Sequence, residues 1–100
     1  MARIFQVQTI GDADVRVALV SDREQADVWV HRVDNRNSAQ GDTRWFITRN
    51  RDDATCRVCF CHIDLAQVRA CFVDSAAEAG WRRDPTRVPK GCFAARHVLD

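Results

Sequence analysis

Ala13-Asp14-Val15-Arg16-Val17-Ala18-Leu19-Val20-Ser21-Asp22 returns thirteen residues later as Ala26-Asp27-Val28-Trp29-Val30-His31-Arg32-Val33-Asp34-Asn35, with five of the ten positions identical or nearly so. The same frame fits Ala54-Thr55-Cys56-Arg57-Val58-Cys59-Phe60-Cys61-His62-Ile63 and, twelve residues on, Ala66-Gln67-Val68-Arg69-Ala70-Cys71-Phe72-Val73-Asp74-Ser75. The consensus is Ala-x-Val-x-Val-x-x-Val followed by Asp or another polar residue. Residues 4–7 match the second half of the unit, residues 40–50 carry Trp45-Phe46-Ile47 at the same columns, and a half-copy begins at Ala79-Gly80-Trp81. The chain thus holds six or seven units of about thirteen residues, a periodicity that decides the architecture before any local motif does.

Within each unit apolar and polar positions alternate and β-branched residues dominate, the period of two expected of a strand with one buried face. The pieces between, Ser21-Asp22-Arg23-Glu24-Gln25, Asp34-Asn35-Arg36-Asn37-Ser38 and Arg49-Asn50-Arg51-Asp52-Asp53, are rich in side chains that bond their own backbone in turns. A strand this short cannot bury its apolar face alone, so the units must pack round a common core, with Trp29, Trp45, Phe46, Phe60, Phe72 and Trp81 supplying bulk. Residues 74–80 suit one helical turn capped by Ser75 or Asp74 and stopped by Gly80. After Trp81 the pattern fails, and Pro85, Pro89 and Gly91 mark an extended loop. The fold class is therefore mainly β, a small single domain of six or seven short repeated strands over residues 1–92, with a less regular tail over 93–100.

The chain has 100 residues, 46% of them apolar and 29% charged. A chain of this length buries about 65% of the surface its unfolded form exposes, enough for one domain. Its formal charge of +1 removes the electrostatic argument for an obligatory polyanionic partner. No apolar run approaches the roughly 20 residues that cross a bilayer, and residues 1–7 lack the apolar stretch of a secretory signal. A cytoplasmic location follows as an expectation, and the five cysteines read as reduced thiols. The fourteen arginines against one lysine fit a GC-rich bacterial genome more simply than a demand for carboxylate pairing.

The repeated Ala-Asp-Val-x-Val-x-x-Val-Asp units, the Trp45-Phe46-Ile47 copy, and Glu78-Ala79-Gly80-Trp81-Arg82 followed by Lys90-Gly91 resemble a bacterial family, the septoil-knot domain. The resemblance covers nearly residues 1–92. It implies a small β-rich chain, deeply knotted as a seven-crossing torus knot, with similar strands wound repeatedly about one core. It brings no catalytic motif, so no functional residue is carried over. The chain departs from the family pattern in placing cysteines at columns usually filled by aliphatic residues.

The sharpest local signal is Cys56-x-x-Cys59-x-Cys61-His62, which on spacing alone suggests zinc. Yet Cys56 stands in the column of Val15, Val28 and Val68, and Cys61 in that of Val20, Val33 and Val73. Period two also sends Cys56 and His62 to the face opposite Cys59 and Cys61. The cysteines therefore read first as small buried hydrophobes. Cys59 and Cys71 share a column in consecutive units, which leaves open a disulfide or shared metal between them. A nucleophile would need a thiolate beside a base, and only Cys61 with His62, or Cys92 with His97, offers one. Asp12, Asp14, Asp52 and Asp53 read as turn formers without calcium-loop spacing.

From Trp81 to His97 the residues Arg82, Arg83, Arg87, Lys90 and Arg96 outweigh Asp84, with Trp81 and Phe93 interleaved, a composition that could dock nucleic acid. The competing reading pairs these arginines with turn aspartates, and nucleic acid is not the favoured partner. The expectation is a non-enzymatic, stable small protein with a binding or structural role. It needs no cofactor and no membrane, and has an unidentified partner, such as a protein; it is a monomer or small homo-oligomer. The alternatives are a metal or redox module on Cys56, Cys59, Cys61, His62 and Cys71, and a nucleic-acid binder on Arg82, Arg83, Arg87 and Lys90.

Overall fold

The alternating segments form seven strands in a computed structural model that describes residues 1–94. They are β1 (Ala2–Gln6), β2 (Val15–Leu19), β3 (Val28–Arg32), β4 (Arg44–Ile47), β5 (Cys56–Phe60), β6 (Val68–Phe72) and the short β7 (Gly80–Trp81). The polar pieces between them each tighten into one 3₁₀ turn, at Ile10–Asp12, Arg23–Gln25, Arg36–Ser38, Arg51–Asp53, Ile63–Leu65 and Ala76–Glu78. Five of these turns are capped by the side chain just before them, because their first N–H groups have no acceptor of their own. Asp22, Asn35, Asn50 and Ser75 accept from the backbone N–H two residues on, and His62 Nδ1 does the same for Asp64 at 3.2 Å. The alanine that opens each unit donates its N–H to the first residue of the preceding turn, as Ala26 does to Arg23 and Ala66 to Ile63.

Strands in this chain do not pair with their sequence neighbours. The order across the sheet is β4-β1-β5-β2-β6-β3, and β3 pairs back to β4, so the six strands close into a barrel in which every pairing is parallel. From β1 to β2 to β3 the chain advances two places each time, steps once to β4, then lays β5 and β6 into the gaps of the first circuit. β7 continues the second circuit by pairing antiparallel with the start of β3. Two interleaved circuits of one chain explain why segments of equal length suit the fold: each must span the same arc.

Register links the circuits in a spiral. Ile47 lies level with Ile4, Ile4 with Cys56, Val58 with Val15, Val17 with Val68, Ala70 with Val28 and His31 with Arg44, and following these offsets once round returns to β4 displaced by twelve residues. Such a stagger on six strands tilts them more steeply than the 35–45° usual in barrels. Parallel strands ordinarily need a crossover of a dozen or more residues, usually helical. Here residues 20–27 suffice between β2 and β3.

A stagger of two residues per strand sorts the inward side chains into level rings. The middle ring is Ile4, Val58, Val17, Ala70, Val30 and Trp45, and the ring towards the strand starts is Ala2, Cys56, Val15, Val68 and Val28, all essentially fully buried. β4 begins too late to fill the sixth place of that lower ring, and Phe93 with Cys92 closes the end instead, both buried. Phe93 packs 4.7 Å from Trp45 and 6.0 Å from Trp81 between ring centroids. Asp42 pins this segment: its carboxylate accepts from Trp81 Nε1 at 2.7 Å and from the backbone N–H of Gly91, Phe93 and Ala94 at 3.0, 2.7 and 3.2 Å. Thr55 Oγ1 donates to the Phe93 carbonyl at 2.7 Å. Gly91 turns the chain there at φ 90, a conformation that favours glycine.

Three sequence expectations are corrected. Of the six aromatics assigned to the core only Trp45 is fully buried. Trp29 lies between the inward Val28 and Val30, so period two points it outward, and Phe46 is likewise displaced by Trp45 and Ile47. Phe93, which the sequence assigns to the tail, carries the core bulk instead. Asp14 is no turn former: its N–H donates to the Arg57 carbonyl and its carboxylate accepts the Arg57 N–H, both at 2.8 Å. Asp27 brackets Arg69, Thr55 brackets Arg3 and Gln67 brackets Arg16 in the same way, extending each parallel ladder by one step.

The arginines at the outward position of these strands serve the fold. Arg3 Nε donates to the Asp53 carbonyl at 2.7 Å and Arg16 Nε to the Leu65 carbonyl at 2.8 Å, so each satisfies the end of a 3₁₀ turn. All-parallel sheets normally need a helical coat. In this barrel the turns and arginine stems cover the outer face.

Candidate functional site

One inward ring remains, made by the last residue of each barrel strand. In order round the barrel it is Ile47, Gln6, Phe60, Leu19, Phe72 and Arg32. Phe93 seals the opposite end, but nothing among the described residues covers this one. Leu19 is 48% exposed and Phe72 39% exposed, and the six side chains line a cup of about 330 Å³. In the ring beneath it the buried Trp45 meets Phe72 edge-on at 6.0 Å. Ligands of parallel sheets and barrels collect at the carboxyl ends of the strands, and an apolar concavity carrying a few polar groups is the general form of a small-molecule site.

The cup is two-sided. Phe60, Leu19 and Phe72, on adjacent β5, β2 and β6, form its apolar wall. Gln6 and Arg32 flank Ile47 on the other side and supply its polar groups. The Arg32 guanidinium lies 6.0 Å from the Phe72 ring centroid, and among the described residues it forms no salt bridge.

The cysteines are dispersed by the same geometry. Cys56 is in the lower ring, fully buried, while Cys59 and Cys71 point outward and are buried beneath the connections. β2 lies between β5 and β6, which sets Cys59 and Cys71 at least two strand spacings apart, about 9.5 Å across the strands, and the register offsets them further along the strands. That exceeds the roughly 7 Å Cα separation a disulfide can span, and the link between them left open by the sequence is not made. Among the described residues no disulfide joins any of the five cysteines. Among the described residues no three His, Cys, Asp or Glu side chains gather as a metal site. Burial pushes the Cys56 thiol well up, helped by Asp14 and the neighbouring Cys92, and burial raises Cys92 to about 12. Burial likewise raises Cys61. His62, beside it in sequence, is a turn cap. The pairing of Cys92 with His97 lies outside the described residues.

The basic segment is folded onto the barrel. Arg82 stacks over Trp29, 4.4 Å from its ring centroid, and Arg23 also lies over that ring at 5.2 Å. Arg83 donates to the carbonyls of Glu24 and Gln25 at 2.6 and 3.4 Å, Arg87 to that of Ala66 at 3.3 Å, and Lys90 pairs with Asp84 at 2.8 Å. Arg96 lies outside the described residues. The residues are thus spread over turns, a ring face and an ion pair.

The cup itself escaped the sequence reading, although its signal was present. The seventh position of each unit shares the inward face with the third and fifth, and holds Leu19, Arg32, Phe60 and Phe72. Only the following valine, which lies just past the strand, hid the continuation.

These features define a class first: an all-parallel barrel wound from one chain in two interleaved circuits, sealed at one end and open at the other. The chain belongs to the septoil-knot family, since the model of the 7(1) septoil knot domain matches residues 1–82. No curated protein and no solved structure matches it significantly. The family's name describes a seven-crossing knot, and a chain that circles one axis twice is the winding a torus knot of this kind needs. No described helix is long and apolar enough to cross a membrane.

Proposed function

We propose that the protein is a non-enzymatic binding domain whose site is the open mouth of the barrel. The observation that carries this reading is the asymmetry of the two ends: Phe93, Trp81 and Asp42 close one, while Leu19 and Phe72 are left exposed at the other with Phe60 half-buried beside them. Leaving apolar side chains uncovered at the end of a filled core forgoes burial worth about 25 cal/mol per Å², a sacrifice that function explains and stability does not. A rigid rim, one residue from each of six hydrogen-bonded strands, suits recognition without rearrangement. The raised thiols argue against nucleophilic chemistry, because the thiolate is the reactive species. A stable scaffold holding a fixed cup is the binding role the sequence suggests, and neither the metal module nor the nucleic-acid binder gains an assembled site.

Titration of the ¹⁵N-labelled protein with indole, a small neutral apolar probe, tests the reading. Amide shifts concentrated at residues 6, 19, 32, 47, 60 and 72, and weakened in Leu19→Ser and Phe72→Ser, are expected. Shifts confined to the sealed end, or none at millimolar probe, would overturn it.

A further inference from the structure

We propose that the mouth binds a small amphipathic carboxylic acid, its carboxylate held by Arg32 and Gln6 and its hydrocarbon body against Phe60, Leu19 and Phe72. The inference rests on the mouth being the binding site and adds the chemistry of its ligand. Arg32 occupies an inward ring position whose counterparts on the other strands are Leu19, Ile47, Phe60, Phe72 and Gln6, so a cation stands where the pattern calls for bulk. Other arginines are engaged within the fold: Arg16 closes a turn carbonyl, Arg51 pairs with Asp12, and Arg57 forks onto Asp14 at 3.0 and 3.3 Å, although the side chains of Arg44, Arg49 and Arg69 do not show such partners among the described residues. Arg32 has no carboxylate partner among the described residues, and its guanidinium lies over the Phe72 ring.

A guanidinium offers five N–H donors in a planar fork that matches a carboxylate bidentately. Arg32 is exposed at the rim, so its fork is open to such an anion while the guanidinium lies against the Phe72 ring. Gln6, across Ile47 from Arg32, can donate to the same oxygen or accept from a neighbouring hydroxyl. The polar pair and the apolar wall lie on opposite sides of the cup, which orients a ligand with one charged end. A volume of about 330 Å³ holds about eleven water-sized groups at ~30 Å³ each. That fits an aromatic or branched acid of roughly that many non-hydrogen atoms within the cup. A single guanidinium beside an amide matches a monoanion, whereas a phosphate dianion would leave charge unpaired.

The test compares phenylacetate, its neutral isostere phenylacetamide and the cation phenethylamine by amide-shift titration of the whole chain at low salt. Phenylacetate is expected to bind at residues 19, 32, 47, 60 and 72 at least tenfold more tightly than phenylacetamide. Arg32→Gln should bring that ratio close to one, and Arg32→Lys, which keeps the charge without the fork, should leave it between. Equal affinity for acid and amide at the mouth, or preference for the amine, would overturn the carboxylate assignment while the mouth remained a site. Absence of mouth shifts with all three probes would overturn the assignment together with the reading beneath it.

Discussion

Phe93→Ala is the perturbation that most severely tests the sealing of the barrel. The ring is fully buried, completes the lower ring where β4 supplies no side chain, and packs on Trp45 and Trp81. Truncating a buried Phe costs about 3–5 kcal/mol, the larger values where the surroundings cannot collapse. Here the cavity walls are strands of a closed barrel, so about 4 kcal/mol is expected, a large part of the 5–15 kcal/mol typical of a whole domain. Asp42→Ala strips one acceptor from four N–H groups and should cost about 2–3 kcal/mol, since hydrogen bonds to a charged group contribute about 1.5–3 kcal/mol each and these share one carboxylate. Both changes release the same segment, so the double variant should fall short of the sum by about 1 kcal/mol or more. Equilibrium urea unfolding, approached from both directions, measures all three. A loss below about 1 kcal/mol for Phe93→Ala, or strict additivity, would refute the docking of residues 91–94.

The remaining expectations concern thiols, the ladder clasp and kinetics. Cys92 has its thiol raised from 9.0 to about 12, and Cys56 is raised too, so the folded state holds protons that the unfolded chain releases. Their contribution is therefore intact below pH 9 and is lost as pH rises from there through about 12, at up to about 1.4 kcal/mol per pH unit for each thiol. Urea midpoints should fall between pH 8 and 10, and Cys56→Val, the residue its column carries elsewhere, should flatten that fall; an unchanged slope would count against the burial of Cys56. Native labelling with a thiol reagent at pH 8 should reach Cys61 far sooner than Cys56 or Cys92, read by mass spectrometry after digestion. Asp14→Ala should cost about 1.5–3 kcal/mol by losing the clasp on Arg57, and Asp14→Asn less, because one acceptor oxygen is kept. Unfolding should be slower than for an unknotted β domain of equal stability, and equal half-lives would remove topology as a source of kinetic stability.

The strands and turns were legible because both are local: Val15 and Val17, or Val28 and Val30, declare their period, and Asp22, Asn35 and Ser75 their capping. The parallel, interleaved order was not, because no residue marks that Val17 lies beside Val68 while Val20 leads on to Val28. Equal spacing is compatible with many sheets, and only the family resemblance pointed to winding. Phe93 was missed since it contributes one buried ring outside any periodic segment, its place fixed by Asp42 fifty residues away in sequence. Cys56-x-x-Cys59-x-Cys61-His62 looked like a ligand set because spacing hides facing; the barrel turns Cys56 inward, Cys59 outward and His62 into a cap. Arg32 was invisible as a site residue until its ring neighbours were known.

The most direct test of one sealed and one open end is paramagnetic relaxation of side-chain methyls by a small, neutral, soluble gadolinium chelate. Leu19 and Ile47 methyls at the mouth should relax strongly, while those of Val15, Val28 and Val68 beneath Phe93 should be nearly unaffected. Equal relaxation at both ends, or stronger relaxation of the valines, would contradict the account.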